Sequence, residues 1–565
     1  MERRIFLAVF LSFVVVYAFQ ALFLPKEPSK PTSLQTERPA ARPSESVPRQ
    51  PQAALPNQAT APQPVVSESA ERDVVMDTDT LRAVFTNRGG RIKQWLLKQY
   101  AQDASGHPVD LVPSRLPPDQ PLPFSLRIDE GGLTQVLNSA IYRVSQTSDS
   151  VTFEYQDASG LHVRKQFKLD PRRYLISFTA MVRQGDRELN PYVQWGPGLG
   201  DIGATSGGGS FFRGNYVQPP EAIFNDGNKV QRIPATDTAA GAVHDRVFRF
   251  AGVDDHYFIA AAVNPGRVRV EYRAVTLPAA NTPDTQRQLV AHTYRFPQPP
   301  HDAKFFFGPK SFDTLKSVDP EFVRAIHFGV FAWLAVPLLG ALQWVYGFVG
   351  NYGWAIITLT ILINLAIFPL RHKSVVSMRK MQELQPQLKA IQDRYADLKV
   401  TDPGRQKMNT EVMNLYREKG VNPASGCIPM LLTLPVLFAF YAFLSVAIEL
   451  RGARFGLWIH DLSKPDPYYV TPILMALTMF WQQRITPTSA DPAQQKIMLI
   501  MPVMFSVMFL SAPSGLVLYW FVSNLWAIGQ QYFTNWLLGP PQTARPPAER
   551  RLKNAGSGKT AGAKK

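Results

Sequence analysis

The first residues with chemistry to offer are polar side chains set into an apolar run. Residues 354–370 hold no Lys, Arg, Asp or Glu, yet they include Thr358, Thr360 and Asn364, and Arg371, His372 and Lys373 close the run. Thr360 and Asn364 are four apart and Arg371 follows after seven more. A helix therefore puts all three on nearly one face, with the guanidinium about 10 Å further along the axis if Pro369 does not bend it. Hydroxyl and amide make a polar stripe, and such a stripe inside an apolar helix faces something other than lipid. His256 beside Asp254 and Asp255 has the composition of an acid–base site. The plainer reading, an exposed turn ahead of the strand YFIAAAV, is preferred, because residue types alone do not make a site. A single cysteine, Cys427, excludes an intramolecular disulfide. Neither a metal-ligand pattern of Cys and His nor a nucleotide-binding loop is present, so no metal and no cofactor is expected.

The elements that must carry these residues follow from composition along the chain. The 565 residues are 45% hydrophobic with a mean hydropathy near zero, so membrane and aqueous parts are mixed. Residues 354–370 are apolar enough for a membrane span, where only a helix satisfies its own backbone. Arg3 and Arg4 precede an apolar run over 5–24 that ends in LPKEP rather than a small-residue cleavage site. That predicts an uncleaved transmembrane anchor with a cytoplasmic N-terminus. Residues 25–72 are rich in Pro, Ser, Gln and Ala and predict a disordered linker. From 73 to 319 the pattern alternates: Val151, Phe153 and Tyr155, then the turn DASG, then Val163, Phe167 and Leu169, then Tyr174, Ile176 and Phe178. Period two between Gly, Pro and Asn punctuation predicts a large exported β-sandwich.

Charge counting sets the topology. The loop 371–419 holds eleven Lys or Arg and is expected in the cytoplasm. With the N-terminus inside and the sandwich outside, only one span fits between them, although 325–370 carries no charge. Residues 350–370 are taken as the second transmembrane helix, and 320–349, with Pro337, Trp333, Trp344 and Tyr346, as an interfacial amphipathic helix flat on the outer surface. Met378, Met381, Leu384, Leu388, Ile391 and Tyr395, then Met408, Val412 and Leu415, predict a helical hairpin over 371–421, broken at DPG and kinked or restarted at Pro386. Its charges make either a solvated face or a docking surface for ribosomal RNA. Four further transmembrane helices over 422–539, two of them short at about 24 Å, bring the count to six. The tail 540–565 is basic and expected in the cytoplasm. The net charge of +16 is thus placed largely at a membrane surface and calls for no DNA partner.

Residues 350–531 resemble the YidC family of membrane protein insertases in its Gram-negative form, kin to the mitochondrial and chloroplast insertases. The matching segments are FPL at 368–370, LQPQL at 384–388, NPASGCIPMLLTLPVLFAFY at 422–441, FGLWIHDLSKPDPYY at 455–469, DPAQQKIM at 491–498 and PSGLVLYWFVSN at 513–524. The resemblance implies a multi-domain membrane protein of the bacterial inner membrane: six spans, five of them a core around a hydrophilic groove, and a periplasmic β-supersandwich like that of sugar mutarotases. It implies an insertase and chaperone rather than an enzyme, working on newly made inner-membrane proteins with the lipid bilayer, translating ribosomes, SecYEG and SecDF as partners. Thr360 falls at the family's groove-lining threonine, and Trp520, Ser523 and Asn524 on the last helix are the implied groove partners. Asn364 departs from the family, which usually has arginine there; Arg371 is expected to supply part of the missing charge at the groove mouth, or to serve simply as a positive-inside anchor. Two alternatives remain, a secondary transporter and a membrane-tethered carbohydrate-active protein. The first lacks paired interrupted helices and an intramembrane acid, and the second leaves the polar stripe without a role.

Overall fold

The computed structural model describes residues 63–101, 106–130, 132–200, 218–238, 241–278, 286–395, 402, 404–421, 428–486 and 502–539. The expected anchor, most of the expected linker, the hairpin tip and the basic tail lie outside these residues.

The alternating segment folds as two antiparallel sheets, one of fourteen strands and one of four. Val151 pairs with Phe167, Phe153 with Lys165 and Tyr155 with Val163, and Phe167 pairs in turn with Phe178. Cross-strand partners share a face, so these side chains turn inward together around the buried Phe124, whose ring lies 5.1 Å from Phe167 and 4.8 Å from Phe178. Lys165 occupies one of the inward positions and is fully buried. Its Nζ donates to the carbonyls of Gly89 at 2.6 Å and Phe124 at 2.9 Å, and burial holds its pKa well below the ordinary lysine value. The sheet also takes in Pro64–Val66, which pairs with Ser150–Asp157. The end of the expected linker is therefore ordered, fixed further by the Arg72–Glu68 ion pair at 2.7 Å.

Eight helices follow among the described residues: α1 Ala332–Val349, α2 Tyr352–Glu383, α3 Gln385–Arg394, α4 Gly404–Glu418, α5 Ile428–Val446, α6 Val470–Ile485, α7 at 502–509 and α8 Ser514–Leu538. Among the described residues, two stretches, Gly329–Val349 and Tyr352–Glu383, are long and apolar enough to cross a membrane. α1 buries Ala335, Leu339, Leu342 and Val345 along one side and leaves Trp333, Trp344 and Phe348 exposed on the other. A left-handed Gly350 ends it, and the Asn351 carboxamide oxygen caps α2 by accepting the Trp354 N–H at 3.2 Å.

α2 does not stop at Leu370. Its 32 residues pass through Pro369 and the charged cluster without a break, so the expected boundary between span and hairpin falls inside one helix. The chain restarts at Leu384, with Pro386 in the first turn of α3, where a missing N–H costs nothing. Met381, Leu384 and Leu388 then pack with Val412 and Leu415 of α4 and close the hairpin root. One apolar core runs from the sandwich through Phe322, Ile326 and Phe328 into Ala335 and Leu339 of α1 and on to Phe440 and Tyr519.

Candidate functional site

The polar stripe is built by α2 alone. Thr360 is fully buried, and its hydroxyl donates to the Ile356 carbonyl one turn back at 2.6 Å. Asn364, 5% exposed, donates from Nδ2 to the Thr360 carbonyl at 2.8 Å. Its Oδ1 accepts from Arg371 Nη1 at 3.0 Å. The three residues thus form one hydrogen-bonded chain along a helix face, with the guanidinium turned back along α2 towards Asn364.

The last helix supplies the neighbouring wall, on a face other than the one expected. Trp520 sits in an aromatic cluster with Phe505 and Phe509 of α7, at 5.7 and 4.7 Å. Asn524 donates to Thr478 Oγ1 of α6 at 3.3 Å. Both therefore serve helix packing, because successive residues turn about 100° around the axis and these two point towards α7 and α6. Ser523 is half-buried, one turn from the buried Tyr519. Two residues were missed. The Trp526 indole N–H and both amide atoms of Gln530 are buried without a hydrogen-bond partner among the described residues. Ser523, Trp526 and Gln530 are spaced by three and four, so a polar stripe on α8 was available to the same spacing test that found the one on α2.

A large cleft of about 1060 Å³ is apolar and lies beside the stripe, lined by Ile361, Phe368, Leu518, Leu525, Trp526 and Gln530 among others. Ile361 and Phe368 are one residue on from Thr360 and four on from Asn364, which turns them about 100° and 40° from those residues around α2. The cleft is therefore not the stripe's own recess.

One end of the bundle is closed by the segment 447–469. Asp466 accepts the Thr471 N–H and hydroxyl at 2.8 Å each and the Trp458 indole N–H at 3.0 Å. Phe455 packs on Gly353 so tightly that a Cβ there would lie 2.0 Å from its ring, and Asn351 Nδ2 donates to the Arg454 carbonyl at 2.9 Å. Ser514 Oγ donates to the Lys464 carbonyl at 2.7 Å. The starts of α2 and α8 are thus tied to one loop. At the opposite end His372 hydrogen-bonds Thr534 at 3.2 Å, and Arg379 donates to the Gly539 carbonyl beyond the C-terminus of α8. A cation there also meets the negative end of the helix dipole.

His256 is not in an exposed turn. It is 8% exposed, and its Nε2–H donates to the Ser445 carbonyl at 2.7 Å. Its neighbour Asp254 is held by Lys310 at 2.9 Å and Arg232 at 3.3 Å, and Asp255 accepts two backbone N–H groups of its own turn. These are structural bonds, with no acid–base pair facing a ligand. Among the described residues no group of His, Cys, Asp and Glu has the arrangement of a metal site.

Comparison with known proteins matches two family descriptions: 60Kd inner membrane protein over residues 344–538 and YidC periplasmic domain over residues 73–341. A membrane protein insertase YidC from Geotalea daltonii is 34% identical over 555 residues, covering 95% of this chain and 99% of its own. The protein of that name from Geobacter sulfurreducens is 36% identical over 558 residues, covering 95% and 98%. A solved structure described as an active YidC insertase with the first transmembrane domain resolved aligns with 83% of this chain and 95% of its own, at 20% identity and a TM-score of 0.34.

Proposed function

The chain belongs to the YidC family of membrane protein insertases, and on that premise we propose how its own residues lower the barrier to insertion. The family is an inner-membrane one with a periplasmic domain, and its work is insertion rather than covalent chemistry. A client's polar tail is costly to move through hydrocarbon because each backbone group stripped of water loses several kcal/mol. A polar recess reaching into the bundle from the cytoplasm shortens that path. The driving free energy comes from the client's own apolar segment entering lipid.

The observation that carries this reading is the chain Thr360, Asn364, Arg371. Asn364 lacks the charge its family usually has at that position, and its carboxamide instead holds the guanidinium of a residue two turns away. Arg371 is the group that draws an acidic tail inward. Thr360 and Asn364 offer bonds to the tail's backbone along the stripe, and Ser523, Trp526 and Gln530 make a second polar row on α8, of which Trp526 and Gln530 line the neighbouring cleft. Six spans, with both termini in the cytoplasm, put the hairpin of α3 and α4 on the side where ribosomes work. Ribosomes, SecYEG and SecDF are the proposed partners, and help with client folding is the proposed second role.

The test is insertion of a small single-span client with an acidic tail into liposomes holding only this protein, read by protease protection of the tail. Native chain is expected to insert, and Asn364→Arg to insert no better, since the charge is already supplied. Insertion by Asn364→Arg alone would mean that Arg371 does not do this work.

A further inference from the structure

The periplasmic domain touches the membrane bundle through the turn 254–257, where the strand Ala242–Asp254 gives way to Phe258–Pro278. Asp255 Oδ1 fixes this turn by accepting the N–H groups of Tyr257 at 2.8 Å and Phe258 at 2.7 Å. His256, projected from its tip, donates to Ser445 in the last turn of α5 at 2.7 Å. The last four carbonyls of a helix have no partner within it, so an imidazole from another domain completes the outer end of α5. A second contact comes from the other direction. Arg451, just past α5, donates to the Ala101 carbonyl of the sandwich at 3.0 Å and lies over the rings of Tyr257 and Phe258 at 5.3 and 5.1 Å. Within the bundle, Phe331, just ahead of α1, stacks on Phe438 of α5 at 5.4 Å.

Inside the membrane the same helix carries Phe440, stacked on Tyr519 of α8 with ring centres 4.0 Å apart. Five residues separate Phe440 from Ser445, about 7.5 Å along the axis. Tyr519 is one turn from Ser523. The contacts therefore run without a gap from a periplasmic turn, through the end of α5, to the wall beside the polar stripe.

We infer that His256 is a positioning residue for insertion: by holding the outer end of α5 it sets where Phe440 and Tyr519 stand, and the periplasmic domain thereby fixes the geometry of the groove wall. The inference rests on the groove reading above for its effect on insertion, but not for its effect on α5.

The experiment uses the full chain in liposomes at neutral pH, with Cys427→Ser and spin labels on Tyr441→Cys of α5 and Leu525→Cys of α8. His256→Ala should broaden the label distance distribution and slow insertion of a polar-tailed client about fivefold, the scale of one hydrogen bond. His256→Gln, whose amide can still donate to Ser445, should restore both. Protease resistance of the periplasmic domain reports that each variant is folded. The inference is overturned if His256→Ala leaves the distances unchanged in a folded domain, or if Gln behaves as Ala does. A native chain that inserts nothing would sink the groove reading instead, and the distances would still decide the positioning role.

Discussion

The junction between the two domains should respond to acid hardly at all, because two groups in one turn titrate against each other. Burial pushes the Asp255 carboxyl from an ordinary 3.8 up to about 6. As pH falls from about 6 towards 3.8 the closed junction therefore takes up a proton that the open one does not, and this group's contribution to closure grows. Burial pushes the His256 imidazole from 6.5 down to about 4. The open junction takes up that proton first, so the stabilisation His256 provides is complete above 6.5 and is lost as pH falls towards about 4. Each shift of roughly two units is worth about 3 kcal/mol, and over the shared window the signs are opposite. The sum is a slope near zero. Removing one partner unmasks the other. Asp255→Asn keeps an acceptor for the two N–H groups and should make closure about 3 kcal/mol weaker at pH 4 than at pH 6.5. His256→Gln keeps the donor and should make it about 3 kcal/mol stronger at low pH. Hydrogen exchange of the amides around Ser445 and Leu450, corrected for the intrinsic pH dependence of exchange, reads the opening free energy directly. A native slope steeper than about 1 kcal/mol per pH unit, or two variants drifting in the same direction, would refute the opposed-titration account.

Three further outcomes can be checked at the bench. Arg371→Gln should slow insertion of an acidic-tailed client about tenfold, near 1.4 kcal/mol, and leave a neutral-tailed client unaffected in the same liposome assay. Lys165→Met should destabilise the periplasmic domain by about 1–3 kcal/mol, seen in urea denaturation, because the Gly89 and Phe124 carbonyls lose their donor. Gly353→Ala should drive Phe455 off the start of α2 and cost about 1–3 kcal/mol, lowering the temperature at which the purified chain loses its helical signal.

Much of the sandwich was legible because one buried face imposes period two on every strand, and Val151, Phe153, Phe167 and Phe178 all turn inward as the alternation requires. Lys165 breaks that pattern, since its partners are carbonyls 76 and 41 residues away in sequence, and no local signal announces them. His256 was misread for the same reason: Ser445 is 189 residues distant, and a turn looks exposed until something docks on it. The end of α2 was placed at the change from apolar to charged residues. That change marks where hydrocarbon ends, not where backbone hydrogen bonding must end. Thr360, Asn364 and Arg371 came together as spacing required, whereas Trp520 and Asn524 did not, because α8 is packed on several sides and its sequence does not say which polar residue faces which neighbour.

The unbroken α2 has a mechanical consequence. Over its 32 residues, about 48 Å of rod, no loop isolates Asn364 from the methionines that seat the hairpin. The two ends share one rotational phase. A single residue inserted between Ser374 and Ser377 would twist one against the other by about 100°, stranding either the hairpin root or the stripe on the wrong side of the bundle. Torque applied at the hairpin is therefore delivered at Asn364.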